Sequence, residues 1–68
     1  MQISARNVLK GRVTAVKAGD VNAQVTVDIG GGNVITSVIT VDSVEQLGIG
    51  EGKEVSVLIK ASSVMLGV

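Results

Sequence analysis

Apolar and polar residues alternate with a period of two through much of the chain, the pattern of strands that bury one face. The clearest run is Val21, Ala23, Val25, Val27 and Ile29, interleaved with Asn22, Gln24, Thr26 and Asp28. Before it, a strand over about residues 6–17 puts Leu9, Val13 and Ala15 on one face and Lys10, Arg12 and Thr14 on the other. Lys17–Asp20 reads as the turn between them, with Gly19 free to take positive φ. Gly30-Gly31-Gly32-Asn33 predicts a tight hairpin; no helical pattern follows the glycines, which argues against a phosphate cradle. The third strand, Val34 to Val41, carries apolar or small residues on both faces (Val34, Thr36 and Val38 against Ile35, Ser37 and Ile39). That suits a strand covered on both sides, or one facing another subunit.

The period then changes. Asp42-Ser43-Val44-Glu45 fits a capping box, with Asp42 accepting from the Glu45 N–H. Val44 and Leu47 give the helix an apolar side, and Gly48 ends it after barely two turns. Gly50–Lys53 reverses the chain into a fourth strand with Val55, Val57 and Ile59 on one face and Ser56, Leu58 and Lys60 opposite. After a break at Ala61-Ser62-Ser63, Val64, Leu66 and Val68 predict a fifth. Three strands, a short helix and two strands is the order of an all-β, five-stranded OB-type barrel, with the helix between the third and fourth strands. One domain spanning residues 1–68 is expected.

Composition adds a problem of stability. A chain of 68 residues hides only about 60% of its unfolded surface when it folds alone. Small domains offset this with disulfides, a metal or oligomerisation. Here Cys and His are absent, as are Phe, Tyr, Trp and Pro, while 46% of residues are hydrophobic. No disulfide can form, a zinc staple is disfavoured, and surplus apolar surface needs a destination. Oligomerisation is the staple left.

The same counts exclude functions. There is no His or Cys for nucleophilic catalysis or metal ligation. With no aromatic ring to stack bases and six Lys+Arg balancing six Asp+Glu, a nucleic-acid-binding OB module is disfavoured. No apolar run approaches a transmembrane length, and the N-terminus lacks the order of a signal peptide. A cytoplasmic binding or structural module is expected, not an enzyme. Charge is ordered along the chain: residues 1–17 hold Arg6, Lys10, Arg12 and Lys17 without an acid, and residues 18–52 hold five acids without a base. Subunit packing explains that order in one reading; in another, some of the bases meet a small anion.

Three segments narrow the choice. Ile3-Ser4-Ala5-Arg6-Asn7 with Leu9-Lys10-Gly11, Thr40-Val41-Asp42-Ser43-Val44 with Leu47-Gly48, and Glu51-Gly52-Lys53-Glu54-Val55 leading to Ile59-Lys60-Ala61-Ser62-Ser63-Val64 together resemble the molbindins. These are the single-unit Mop branch of the transport-associated OB folds, and the resemblance covers residues 2–68. It implies a homohexamer, a trimer of dimers, that holds molybdate or tungstate at subunit interfaces for intracellular storage or homeostasis, with no other cofactor and no cation ligated directly. By position, the family's anion contacts fall on Ser4, Arg6, Asn7, Thr40, Ser43, Lys60 and Ala61. A second class of interface site is expected at Gly19, Asp20, Val21 and Asn22 with Ser62 and Ser63. A ligand-free, ring-forming structural module is the alternative.

The chemistry of those residue types suits such an anion. A tetrahedral oxyanion that is a dianion at neutral pH presents only acceptors, so its site needs donors. Arg6 offers a planar fork of N–H groups, Lys60 a compact charge, and Ser4, Asn7, Thr40 and Ser43 short neutral donors. Helix-start N–H groups add further donors. A set made only of donors rejects a protonated phosphate, whose hydroxyl needs an acceptor; sulfate must be sorted by cavity size. Lys10, Arg12 and Lys17 are expected to be solvated or paired across strands.

Overall fold

The computed structural model describes all residues, 1–68. Four strands form one antiparallel sheet: β1 Asn7–Ala18, β2 Asn22–Gly30, β3 Asn33–Thr40 and β4 Glu54–Ile59, in the order β3-β2-β1-β4. One helix, α1 (Val41–Leu47), follows β3, and a 3-10 turn, Ala61–Ser63, follows β4. β1 organises the sheet. Its second half, Arg12–Ala18, pairs with Asp28–Ala23 of β2, while its first half, Asn7–Arg12, pairs with Ile59–Glu54 of β4. The strand thus hands over from one neighbour to the other at Arg12, and the sheet curls into an OB-like half-barrel.

Gly11 lies at that handover. A Cβ there would stand 2.5 Å from Val27 Cγ1 and 2.8 Å from the Asp28 carbonyl oxygen, so only glycine lets β2 approach this closely. Two residues on, Val13 is 1% exposed and forms the core with Val25 and Val27, ringed by half-buried Val16, Ile29, Ile39, Val44, Ile49, Val55 and Val57.

The expected face of β1 is corrected beyond Val13. A bulge there sets Thr14 and Ala15 against Thr26 alone, so Ala15 turns outward and Val16 turns in. The Thr14 hydroxyl donates to the Thr26 carbonyl across the bulge at 3.3 Å. Gly31 and Gly32, both at positive φ (64° and 81°), make the two-residue hairpin turn closed by the Gly30–Asn33 pair. Gly19 does not use positive φ; its N–H donates to the Asn22 carbonyl at 2.8 Å, closing the β1–β2 turn. Val21 lies before β2 and is exposed.

The helix start also differs from expectation. The cap is Thr40, two residues before Asp42: its Oγ1 accepts from the Ser43 N–H at 3.0 Å, and the helix begins at Val41. Thr40 ends β3 in extended geometry (φ −72°, ψ 152°), which is what a capping side chain requires, whereas Asp42 is already helical. Gly48 closes the helix in the left-handed region (φ 64°), and the Ile49 N–H returns to the Val44 carbonyl at 2.9 Å.

The fifth strand is absent. After the 3-10 turn, Val64–Val68 has no strand pairing, and Met65 and Leu66 are 93% and 94% exposed. The apolar pattern there is genuine, but the pattern alone does not make a strand: the sheet has open edges, and after the turn this segment pairs with none of them. The consequences are visible in bulk. The chain exposes 5301 Å², about a third more than the ~4,000 Å² expected of a compact monomer of this mass. Its radius of gyration is 12.4 Å, against about 11 Å for a compact domain of this length. No helix is long and apolar enough to cross a membrane.

Candidate oxyanion site

The β1–β4 pairing assembles one group of the expected donors. Asn7 opens β1 opposite Ile59, the last residue of β4, so Ser4 and Arg6, entering β1, lie at the same end of the molecule as Lys60 and Ala61, leaving β4. Ser62 and Ser63 follow in the 3-10 turn, where the Ser63 N–H donates to the Lys60 carbonyl at 2.9 Å. Asn7 is half-buried, and its Nδ2 donates to the Ile59 carbonyl at 3.2 Å. Ser4, Arg6, Lys60 and Ala61 are exposed.

Neither cation of this group is neutralised within the chain. The single ion pair joins Arg12 to Glu54 at 2.9 Å, and Arg12 also donates to the Gly52 carbonyl at 2.7 Å. Arg12 is therefore committed across strands, as expected, whereas Arg6 and Lys60 have no carboxylate within 4 Å. A groove of about 510 Å³ on the outer face includes Lys10, Arg12, Glu54 and Ser56. Its carboxylate and committed arginine make it a poor receptor for a dianion.

The second group lies at the other end of β1. Antiparallel pairing brings the start of β2 and the end of β3 beside Ala18, with Asn22 opposite Thr40. The Val41 N–H donates to the Val21 carbonyl at 2.8 Å, tying the helix start to the β1–β2 turn. Thr40, Ser43, Gly19, Asp20, Val21 and Asn22 therefore gather here. The two hydroxyls are ordered: Thr40 Oγ1 lies 2.8 Å from Ser43 Oγ and donates to it, leaving the Ser43 hydroxyl hydrogen free to point outward. Of the pair, Ser43 is the available donor. An open hollow of about 320 Å³ at this end is lined by Gly19 and Asn22 together with Lys17, Gln24 and Val38. Lys17 and Gln24 were not among the expected site residues; they are cross-strand partners one step from the turn, a juxtaposition that appears only once the register is known.

Within one chain the expected donor sets are thus divided. Thr40 and Ser43 sit at the opposite end of β1 from Arg6, Asn7, Lys60 and Ala61, and the second set is split in the same way between Gly19–Asn22 and Ser62–Ser63. One end carries the unpaired cations Arg6 and Lys60; the other carries hydroxyls oriented by one another, beside an unpaired Lys17 and Asp20.

Residues 3–66 match the model of the TOBE domain. Molybdenum-pterin-binding protein 1 of Clostridium pasteurianum is 53% identical over 66 residues, 97% of each chain. Among solved structures, a molybdate-binding protein from Sporomusa ovata superimposes with a TM-score of 0.93 at 34% identity, each chain covered in full. The cytoplasmic molybdate-binding protein ModG, solved with molybdate bound, gives a TM-score of 0.94 at 47% identity; this chain, covered in full, spans 48% of it. The chain belongs to the TOBE-domain family, in the molybdate-binding Mop (molbindin) branch.

Proposed function

We propose that residues 1–68 act as one domain that binds molybdate, and tungstate by the same chemistry, between copies of itself in a cytoplasmic homohexamer arranged as a trimer of dimers. The role is storage or buffering, and the anion is held unchanged. The observation that carries this reading is the division of the donors. A small tetrahedral anion cannot touch both ends of β1 in one chain, but the cationic end of one copy set against the hydroxyl end of another surrounds it with donors of both kinds. Charge-assisted bonds come from Arg6 and Lys60, and an available neutral donor comes from Ser43.

The surplus surface supports assembly. β3 and β4 each present an unpaired edge, and the apolar Val64–Val68 arm has no seat on its own chain. Edges and arms of this kind are normally covered in stable proteins. Relatives named for molybdenum or molybdate support that choice of ligand, and the donor-rich character of the divided set is in keeping with it.

Native mass spectrometry with and without sodium molybdate tests this reading. The expected result is a hexamer that retains intact oxyanions. Molybdate at 100 times its dissociation constant should also add about 2.7 kcal/mol of stability in a one-site treatment, seen as a higher melting temperature. Sulfate should add less. A monomer, or a hexamer that gains nothing from molybdate, overturns the proposal, the second outcome in favour of a ligand-free structural ring.

A further inference from the structure

We propose that Asn7 is a positioning residue that presents Lys60 to the anion and is not itself a ligand; this rests on the oxyanion reading above. Three observations converge. First, Asn7 is half-buried between exposed Arg6 and Val8, so its amide faces the chain and not solvent. Second, its Nδ2 donates at 3.2 Å to the carbonyl of Ile59, its cross-strand partner 52 residues away and the last residue of β4. Third, this is the sole side-chain hydrogen bond to any residue from Ile59 onward.

Immediately after Ile59 the chain leaves the sheet. Lys60 is extended (φ −61°, ψ 137°) and its carbonyl is used by the Ser63 N–H. The root from which Lys60 departs is therefore held by the Asn7 amide in addition to the β1–β4 ladder. A lysine has four rotatable bonds and binds as a point charge, so anchoring its backbone limits the volume the ammonium explores. The backbone of Lys60 is then held one residue beyond the Asn7–Ile59 pair, at the end of the sheet where Arg6 enters β1, and neither cation has a carboxylate partner.

A double-mutant cycle separates positioning from contact. Asn7→Ala, Lys60→Met and the double variant are titrated with sodium molybdate by calorimetry, and each apo protein is checked by sedimentation and thermal melting. Asn7→Leu, which keeps the branched shape but cannot donate, is carried through the same cycle in case the smaller residue loosens the strand end. Lys60→Met should weaken molybdate binding about 10- to 100-fold. Asn7→Ala or Asn7→Leu should weaken it about 3- to 10-fold in the parent, and by less than about 1.5-fold when Lys60 is already Met. Losses that multiply in the double variant make Asn7 a direct ligand and overturn the inference. Unchanged binding in both Asn7 variants reduces the hydrogen bond to a strand-end closure and also overturns it. Unchanged binding in Lys60→Met strikes Lys60 from the site, and the oxyanion reading at this end fails with it.

Discussion

The two ends of β1 are built from different chemistry. At the Asn7 end, two long cationic side chains stand without acidic partners beside a chain that leaves the sheet. At the Ala18 end, short hydroxyl and amide groups are closed onto one another: Thr40 onto Ser43, Val41 onto Val21, Gly19 onto Asn22. The first end is rich in unpaired positive charge; the second is closed by hydrogen bonds among its own groups and carries no free base except Lys17. Charge attracts a dianion and prepaid order orients it, so each end has what the other lacks. On the reading proposed above, such a site is completed when two copies meet.

The largest effect should come from preventing that meeting. Leu66→Asp places a carboxylate in the exposed apolar arm. If the arm is what bridges copies, burying that charge costs several kcal/mol, and the assembly should fall to smaller species in sedimentation. An unchanged hexamer would show that the ends are joined without the arm.

A smaller effect should follow from disturbing the handover between the ends. Gly11→Ala forces a methyl to within 2.5 Å of Val27 Cγ1 and 2.8 Å of the Asp28 carbonyl. The strain should cost about 1–3 kcal/mol, read as a lower denaturation midpoint with little change in slope. An unaffected midpoint would mean that β1 and β2 can part here without penalty.

Least affected should be Thr40→Ala, which removes one cap and frees the Ser43 hydroxyl to rotate. Stability should fall by about 1 kcal/mol in chemical denaturation, and Thr40→Ser should restore it. Loss of stability without rescue by serine would assign the role to the Thr40 methyl group and not to its oxygen.

The contrast between the ends also explains what could be read in the sequence. β2 and β4 follow from strict alternation, the hairpin from Gly31-Gly32, and the helix stop from Gly48, because each is written in adjacent residues. The bulge after Val13 is silent because Ala15 and Val16 are both apolar, so a slip of one residue leaves the composition of the face unchanged. Thr40 and Asp42 are both capping types, and only the backbone angles of the folded chain choose between them. Val64–Val68 has a strand's pattern without a strand's partner. Residue types able to donate to an oxyanion could be picked out in the sequence. Their division between two ends could not, because it depends on antiparallel register across separations of up to 52 residues.

That long separation bears on the time course of folding. The β1–β2–β3 meander closes through short turns and can form early, whereas pairing Asn7 with Ile59 must wait until nearly the whole chain is in place. If the arm takes its seat on another copy, as proposed, assembly adds a last step of second order, whose rate rises with protein concentration. Dilute refolding should therefore stall at a half-barrel with open edges, and a burst of synthesis should pass through that stage quickly. The cell's supply of finished receptors would then respond more steeply than linearly to how much of the chain it makes.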